Sequence, residues 1–447
     1  MLTWLRRNTK TIMIVVAVLF FGSMFYGLGY QGMKGDGGKK SKSEGIAKVN
    51  GLEIDPVRYQ EMLNRVAQSF KGNVSPSDMA FIENMALNQS IEFTLMLGEA
   101  RRRVKVSGAE VDGAIDGIMK QQKIPSKREM ERSLKKMGIS YNRFKDLIKD
   151  DIMVQKLSMK LREEIRITPD DLKEIRVSHI LVTQEAAAKI VLEKVSRGDF
   201  ASLAKQYSKD LGTAGKGGDL GYFTTGMMVE PFEKAAFALQ PGQISGIVKT
   251  NYGYHIIKVT DSRLRKIPGD EKTAEQTILR EKQENVFRRW YSEIRSKIKI
   301  EIENPVLRGH DYRFKGLLPQ AVAEYKIGET ENPNNPYIPI YLGDTYMSAG
   351  RKDLALPEYE KAIRVEGANP ALYIILGRAY ESAGEKELAT AQYRKASLIA
   401  GDNKDLHEQL LKIFQGMGRK TEAANEKKEL QRIEKKEQFE KELTGGR

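Results

Sequence analysis

Val177-Ser178-His179-Ile180-Leu181-Val182 and Tyr252-Gly253-Tyr254-His255-Ile256-Ile257-Lys258-Val259 are two apolar runs, each carrying one histidine, that bracket the most constrained stretch of the 447-residue chain. Their β-branched content and length predict strands at Val177–Val182 and His255–Val259. Between them, Glu185 to Arg197 and Phe200 to Tyr207 read as helices, with Asp199 as the N-cap of the second. Gly215-Lys216-Gly217-Gly218-Asp219-Leu220-Gly221 follows, where missing side chains permit positive φ and close backbone approach. Pro231 suits the first turn of a short helix through Leu239, Pro241-Gly242 suits a type II turn, and Asn251-Tyr252-Gly253 turns into the last strand. The order strand, helices, strand, helix, two strands predicts a compact α+β unit.

The chain has no cysteine, which excludes thiolate nucleophiles, disulfides and thiolate-bound metals. It has four histidines, two of them on these strands. The residues alone allow two readings of the pair. Both rings are buried, hydrogen-bonded and purely structural, or His179, His255 and Asp210 form a two-histidine, one-carboxylate metal site. The apolar runs around both histidines, with no further carboxylate placed to orient them, argue against the metal.

Val177-Ser178-His179-Ile180-Leu181-Val182, Tyr207-Ser208-Lys209-Asp210, Gly217-Gly218-Asp219-Leu220-Gly221, Phe232-Glu233-Lys234-Ala235-Ala236-Phe237 and Tyr252-Gly253-Tyr254-His255-Ile256-Ile257, in that order, resemble the successive signatures of the parvulin peptidyl-prolyl cis/trans isomerases. The resemblance implies a four-stranded antiparallel sheet wrapped by helices, two histidines meeting in its middle, and neither cofactor nor metal. Carried over by position, it assigns catalysis to His179, Asp210, His255 and Thr250, and substrate binding to Leu220, Met228, Phe232 and Tyr252. The loop after the first strand reads Thr183-Gln184-Glu185 and lacks the arginine cluster of phosphate-selective members, so no preference for phosphorylated Ser/Thr before proline is expected. Amide rotation faces a barrier of ~18–20 kcal/mol but breaks no bond, so a nucleophile is unnecessary. An apolar pocket disfavours the planar, more polar amide, and a donor aimed at the prolyl nitrogen acts only as it pyramidalises. A thousandfold acceleration needs about 4 kcal/mol. Asp210 has two roles open to it, partner of that donor or tuner of the histidines.

At 447 residues with net charge +14, the chain is multidomain and basic, its Lys and Arg spread out rather than gathered into a nucleic-acid arm. Thr11 to Tyr30 is uncharged and long enough to cross a membrane as a helix. It is followed by no small-x-small cleavage site, which favours an anchor at residues 1–30 over a signal peptide. Gln31 to Ser43 is rich in Gly, Lys and Ser and reads as a tether, with residues 31–44 as linker. Lysines follow the span as well as precede it, so the charge count leaves orientation open. The exported character of the families resembled, and a cysteine-free composition, place the bulk of the chain on the periplasmic side of an inner membrane.

Residues 45–173 read as a helical domain: a hairpin turning at Asn50-Gly51, then helix starts at Asp55-Pro56, Ser75-Pro76, Ser107 with Glu110, Ser126 with Glu129, and Thr168-Pro169, the Ser107 and Ser126 starts being capping boxes. Ile46-Ala47-Lys48-Val49-Asn50-Gly51 and Phe144-Lys145-Asp146-Leu147-Ile148 resemble the chaperone domain of SurA-like and PpiD-like periplasmic folding factors. That resemblance implies that a helix at 272–302, with Phe287, Trp290, Tyr291 and Ile294 on one stripe, completes the domain after the isomerase unit at 174–263. Met62, Met79, Met85 and Met96 either line a client groove or fill a core.

From residue 304 to 430 a 34-residue period appears: Gly309, Gly343, Gly377; Gly316, Gly350, Gly384, Gly418; Ala321, Ala355, Ala389, Ala423; Tyr325, Tyr359, Tyr393. It resembles the tetratricopeptide repeat, an α-solenoid whose concave face takes a protein partner. Pro357 falls inside one helix, where it is expected to loosen the first turn, and residues 431–447 read as a charged tail. The expectation is a membrane-anchored folding factor acting on unfolded or nascent exported polypeptides, without nucleic acid. The alternative is a scaffold whose isomerase unit only binds extended peptide.

Overall fold

The structure, a computed structural model, describes residues 45–70, 75–266 and 270–443. The expected anchor and tether lie outside the described residues, and among the described residues no helix is long and apolar enough to cross a membrane. The chain divides into two units, one of residues up to Val154 and from Ile298 onward, the other Gln155–Lys297.

In the first unit, β1 (Ala47–Val49) and β2 (Leu52–Glu53) form the expected hairpin, with Asn50 at φ 50° and Gly51 at φ 80°, the two positive angles a type I′ turn requires. A third strand, β7 (Ile300–Ile302), pairs antiparallel with β1, Ala47 opposite Ile302. The helix read over 272–302 therefore stops at Ser296. Ile298-Lys299-Ile300-Glu301-Ile302 alternates with period two, which suits a strand and not a helix.

Helices α1 (Pro56–Ser69), α2 (Pro76–Arg103), α3 (Gly108–Gln121), α4 (Lys127–Lys136) and α5 (Tyr141–Glu163) follow. Asp55 caps α1, and Ser75 with Asp78 and Ser107 with Glu110 form reciprocal boxes. At Ser126 only the N-cap half is present, accepting from Glu129 N at 3.2 Å, while Arg132 holds the Glu129 carboxylate. Val111, Ile115 and Ile118 of α3, Met130 and Leu134 of α4, and Phe144 and Leu147 of α5 make one core. Arg58 lies buried between Glu61 (2.6 Å) and Asp151 (3.0 Å).

The repeats form helix pairs α10 (Pro305–Phe314) with α11 (Leu318–Glu331), α12 (Tyr337–Ser348) with α13 (Lys352–Val365), α14 (Pro370–Ala383) with α15 (Lys386–Ile399), and α16 (Lys404–Gly416) with α17 (Lys420–Leu443). The period has two causes. Gly316, Gly350, Gly384 and Gly418 all adopt positive φ where one helix turns into the next. Gly309, Gly343 and Gly377 each lie against the ring of Tyr325, Tyr359 or Tyr393, and an added Cβ would sit 2.4–2.5 Å from that ring. Pro357 is contained within a continuous α13. α17 runs to Leu443, with Ile433 buried on it.

The first helices of three repeats, α10, α12 and α14, pack on α2. Met62, Met79 and Ile82 share a core with Tyr325, Ile338 and Tyr341, and Met85 packs against it, so these methionines are core. His310, completely buried, meets Glu83 of α2 at 2.6 Å and Tyr325 Oη at 2.8 Å. Over these three repeats the first helices are thus covered by α2 of the same chain.

In the second unit a 3-10 turn at Pro169–Leu172, rather than a helix, leads into β3 (Lys173–Val182). Then come α6 (Glu185–Val195), α7 (Phe200–Tyr207), β4 (Asp219–Phe223), α8 (Glu230–Phe237), β5 (Val248–Thr250), β6 (Gly253–Leu264) and α9 (Glu271–Ser296). The sheet is antiparallel in the order β4-β3-β6-β5. β3 and β6 are longer than the apolar runs that announced them. Strand alternation splits their side chains: Ile180, Val182 and Ile256 face α6 and α7, while Ile175, Val177, Ile257 and Val259 face Phe232 and Ala236 of α8.

Candidate active site

β3 and β6 are the two central strands, with His179 opposite Ile257 and Leu181 opposite His255. The histidines are therefore diagonal neighbours on one face, within reach of each other. Their rings stack with centroids 5.4 Å apart and Nδ1 to Nδ1 at 3.2 Å, each residue 5% exposed. His179 Nε2 meets Asp210 Oδ2 at 2.8 Å and Thr213 Oγ1 at 3.2 Å. His255 Nε2 meets Thr250 Oγ1 at 2.8 Å.

These partners allow a self-consistent assignment of protons. Tyr252 N–H donates to Thr250 Oγ1 (3.1 Å), and the Thr250 hydroxyl donates to His255 Nε2. His255 Nδ1–H donates to His179 Nδ1, and His179 Nε2–H donates to Asp210. Thr213 Oγ1–H donates to the same carboxylate oxygen at 2.6 Å. Every ring nitrogen is engaged and neither ring needs a charge. Burial first, with His179 adding to it, lowers His255 from 6.5 to about 4. The Thr213 hydroxyl, seconded by His179, holds the Asp210 carboxyl below its usual range. With all four ring nitrogens turned to protein partners, no lone pair is aimed at an open metal position, and among the described residues no group of three or more His, Asp or Glu suits a metal ion.

Local sequence builds this arrangement. Ser208 Oγ accepts from Leu181 N (3.2 Å) and Asp210 N (3.3 Å), and Lys209 N donates to Leu181 O at 2.7 Å, which pins the Asp210 loop to the end of β3. His179 N donates to Gly218 O at 2.9 Å, and a Cβ on Gly218, at φ 80°, would sit 2.1 Å from His179 O. Only glycine lets this loop approach the strand so closely. Asp219 accepts from Arg176 Nη2 at 2.6 Å and from Gly221 N at 3.0 Å, closing the glycine stretch.

Phe232 is buried edge-on to both imidazoles, its centroid 5.7 Å from His179 and 5.2 Å from His255. Half-buried Leu220 and Met228 pack with it. Tyr252 is 70% exposed and lies at the rim, its backbone tied into the network and its ring free of it. All eight residues named from sequence thus fall in the isomerase unit: His179, Asp210, His255 and Thr250 in one hydrogen-bonded chain, Leu220, Met228 and Phe232 in one apolar cluster. Thr213 was missed. Its signal was legible as the Asp-x-x-Thr spacing from Asp210, where a hydroxyl three residues on folds back to a carboxylate, as Gly212 N does at 3.1 Å.

Residues 163–263 match the family described as PPIC-type PPIASE domain, residues 1–158 the SurA-like N-terminal domain, and residues 342–369 and 370–403 the tetratricopeptide repeat. The chain is 41% identical over 177 residues to the foldase protein PrsA of Geobacillus sp. (strain WCH70), covering 37% of this chain and 60% of that one. It is 30% identical over 281 residues to the foldase protein PrsA of Caldanaerobacter subterraneus subsp. tengcongensis, covering 57% of this chain and 86% of that one. Among solved structures, the peptidylprolyl isomerase PrsA from Bacillus anthracis is 30% identical, over 47% of this chain and 96% of that one, with a TM-score of 0.29. A PPIC-type isomerase domain behind a SurA-like domain, with a relative matched over most of its length, establishes that this chain belongs to the PrsA foldase family.

Proposed function

We propose that this chain is a membrane-anchored folding factor whose second unit rotates X-Pro bonds in unfolded, exported polypeptides. The observation that carries the reading is the unbroken hydrogen-bond chain from Thr250 through both imidazoles to Asp210 and Thr213, beside an apolar wall of Leu220, Met228 and Phe232. The wall grips the proline ring and excludes water from the amide, which disfavours the planar form with its larger dipole. A neutral imidazole pair suits this task, since a cation there would stabilise the planar carbonyl. Asp210 fixes the tautomer of His179 and through it the pair, which supports the tuning role for this carboxylate. Tyr252, with its ring exposed, is proposed to contact the substrate chain beyond the proline.

The test is a proline-limited refolding assay on the full chain, with His179→Ala and Met228→Ala alongside. Acceleration in the native protein that both variants reduce supports the reading. A native protein with no rate above background, yet still suppressing aggregation, leaves the binding scaffold instead. Phosphorylation of the residue before proline gives no gain in kcat/KM, because the loop at Thr183–Glu185 offers no cationic cluster. Residues 11–30 are proposed as the anchor, with the described units outside the cytoplasm, and protease accessibility in intact cells and spheroplasts tests that placement. The repeats are proposed to engage a protein partner through surface other than that packed on α2.

A further inference from the structure

Lys282, Asn285 and Arg289 fall at positions i, i+3 and i+7 of α9 and so share one face. That face meets the turn that delivers Met228. Arg289 Nη2 lies 3.0 Å from both carboxylate oxygens of Glu233, and Glu233 Oε2 accepts from Gly226 N at 2.6 Å and Met228 N at 3.3 Å. Arg289 Nη2 also reaches Met228 O at 3.4 Å, so both backbone groups of Met228 are held by one ion pair. Gly226 sits at φ 89°, and a Cβ there would lie 2.4 Å from Asn285 Nδ2. On the other side of the turn Thr225 Oγ1 donates to Asp171 Oδ1 at 2.5 Å, and Lys282 Nζ holds Asp171 Oδ2 at 2.6 Å. Met227 and Val229, flanking Met228, are exposed, so the turn has little apolar burial of its own to fix it.

We propose that α9, which lies outside the segment matched to the isomerase family, is the brace that positions Met228 and sets the width of the proline pocket, with Arg289 as the positioning residue. The proposal rests on the assignment of Met228 to that pocket. Removing the guanidinium leaves Glu233 with its two amide donors but no cation, and the turn relaxes away from Phe232. The cost falls on substrate binding rather than on the rotation itself.

Steady-state kinetics of the full chain on a proline tetrapeptide test this, using Arg289→Ala, Arg289→Lys and Met228→Ala, with far-UV circular dichroism confirming that each variant is folded. Arg289→Ala is expected to raise KM about tenfold and to leave kcat within about twofold. Arg289→Lys restores part of the loss, because an ammonium can pair with Glu233 without spanning to Met228 O. If Met228→Ala raises KM while Arg289→Ala does not, the brace is wrong and the pocket stands. A lowered kcat at unchanged KM in Arg289→Ala marks a merely structural contact and also overturns the brace. No effect of Met228→Ala overturns the pocket assignment, and the brace falls with it.

Discussion

Lowering the pH from 7 to 5 should destabilise the isomerase unit through His255, by about 2 kcal/mol. Burial against Phe232 and the neighbouring His179 take this ring from 6.5 down to about 4, so the fold holds it neutral while the unfolded chain protonates it. A depressed histidine leaves stability complete above the unfolded value of 6.5 and loses it as the pH falls from there toward about 4. At pH 5 the unfolded form is favoured by RT ln[(1 + 10^1.5)/(1 + 10^−1)], about 2 kcal/mol, against about 0.2 kcal/mol at pH 7. Asp210 does not confound the window: its carboxyl lies below the ordinary 3.8, so its contribution is lost only as the pH falls below that value. The chain has two tryptophans, Trp4 and Trp290, and Trp290 lies on α9 in the isomerase unit. Urea unfolding of a Trp4→Phe variant, read at the Trp290 indole, therefore follows this unit. The expected result is a loss of about 2 kcal/mol between pH 7 and pH 5 that disappears in His255→Gln, whose amide can still meet Thr250 and His179. Equal stability at the two pH values, or a loss that persists in His255→Gln, would refute a His255 held neutral by burial.

Thr213→Val should raise the Asp210 carboxyl toward the ordinary range, since the Thr213 hydroxyl is the main influence holding it down. The acid limb of the kcat/KM profile then moves to higher pH, and an unshifted limb would detach Asp210 from activity. Gly343→Ala should cost the first unit about 1–3 kcal/mol in chemical denaturation, because its methyl meets the Tyr359 ring. Gly350→Ala, in open space at φ 73°, should cost only the ~1–2 kcal/mol of a left-handed alanine. Arg58→Met strands the buried Asp151 carboxylate and leaves Glu61 with Arg65 alone, and should cost about 3–5 kcal/mol at pH 7 by far-UV circular dichroism. That cost should shrink by pH 5, because burial raises Asp151 to about 6 even beside the guanidinium, so without it the carboxyl takes up a proton in the fold more readily than in the unfolded chain.

The proposed site was legible because its constraints are local. His179 and His255 sit inside apolar runs whose alternation orients them, Gly218 marks a backbone approach no other residue tolerates, and Ser208 and Asp210 lie within two residues of each other on one pinned loop. Thr213 escaped notice because a single hydroxyl three residues beyond a carboxylate is common in loops; its importance comes from His179 arriving from another strand. The brace on Met228 was illegible for the same reason at longer range. Arg289 lies 56 residues from Glu233 in a helix whose aromatic stripe, Phe287, Trp290 and Tyr291, drew attention to a different face. The strand at Ile300–Ile302 was misread because a long amphipathic pattern hid a short change of period at its end.

The packing of α2 against the repeats shows what periodicity alone cannot deliver. A 34-residue period specifies how the two helices of each pair pack on each other, through Gly343 on Tyr359 and Gly377 on Tyr393, but leaves open what covers the first helices. The signal lay in α2 itself. Its buried residues, Met79, Ala80, Ile82, Leu87, Ile91 and Leu95 among them, fall on more than one stripe, and a helix apolar on several sides is surrounded. Buried Glu83 on such a helix must find a cation or a donor, and it finds His310 and Tyr341 from two different repeats. Any sliding of the array along α2 would strand that carboxylate in a dry interface, which apolar packing alone would tolerate far better. The repeats and the helical domain therefore fold against each other in one register, and repeats 304–430 produced alone would bare Ile338 and Tyr341 of the core they share with Met79 and Ile82.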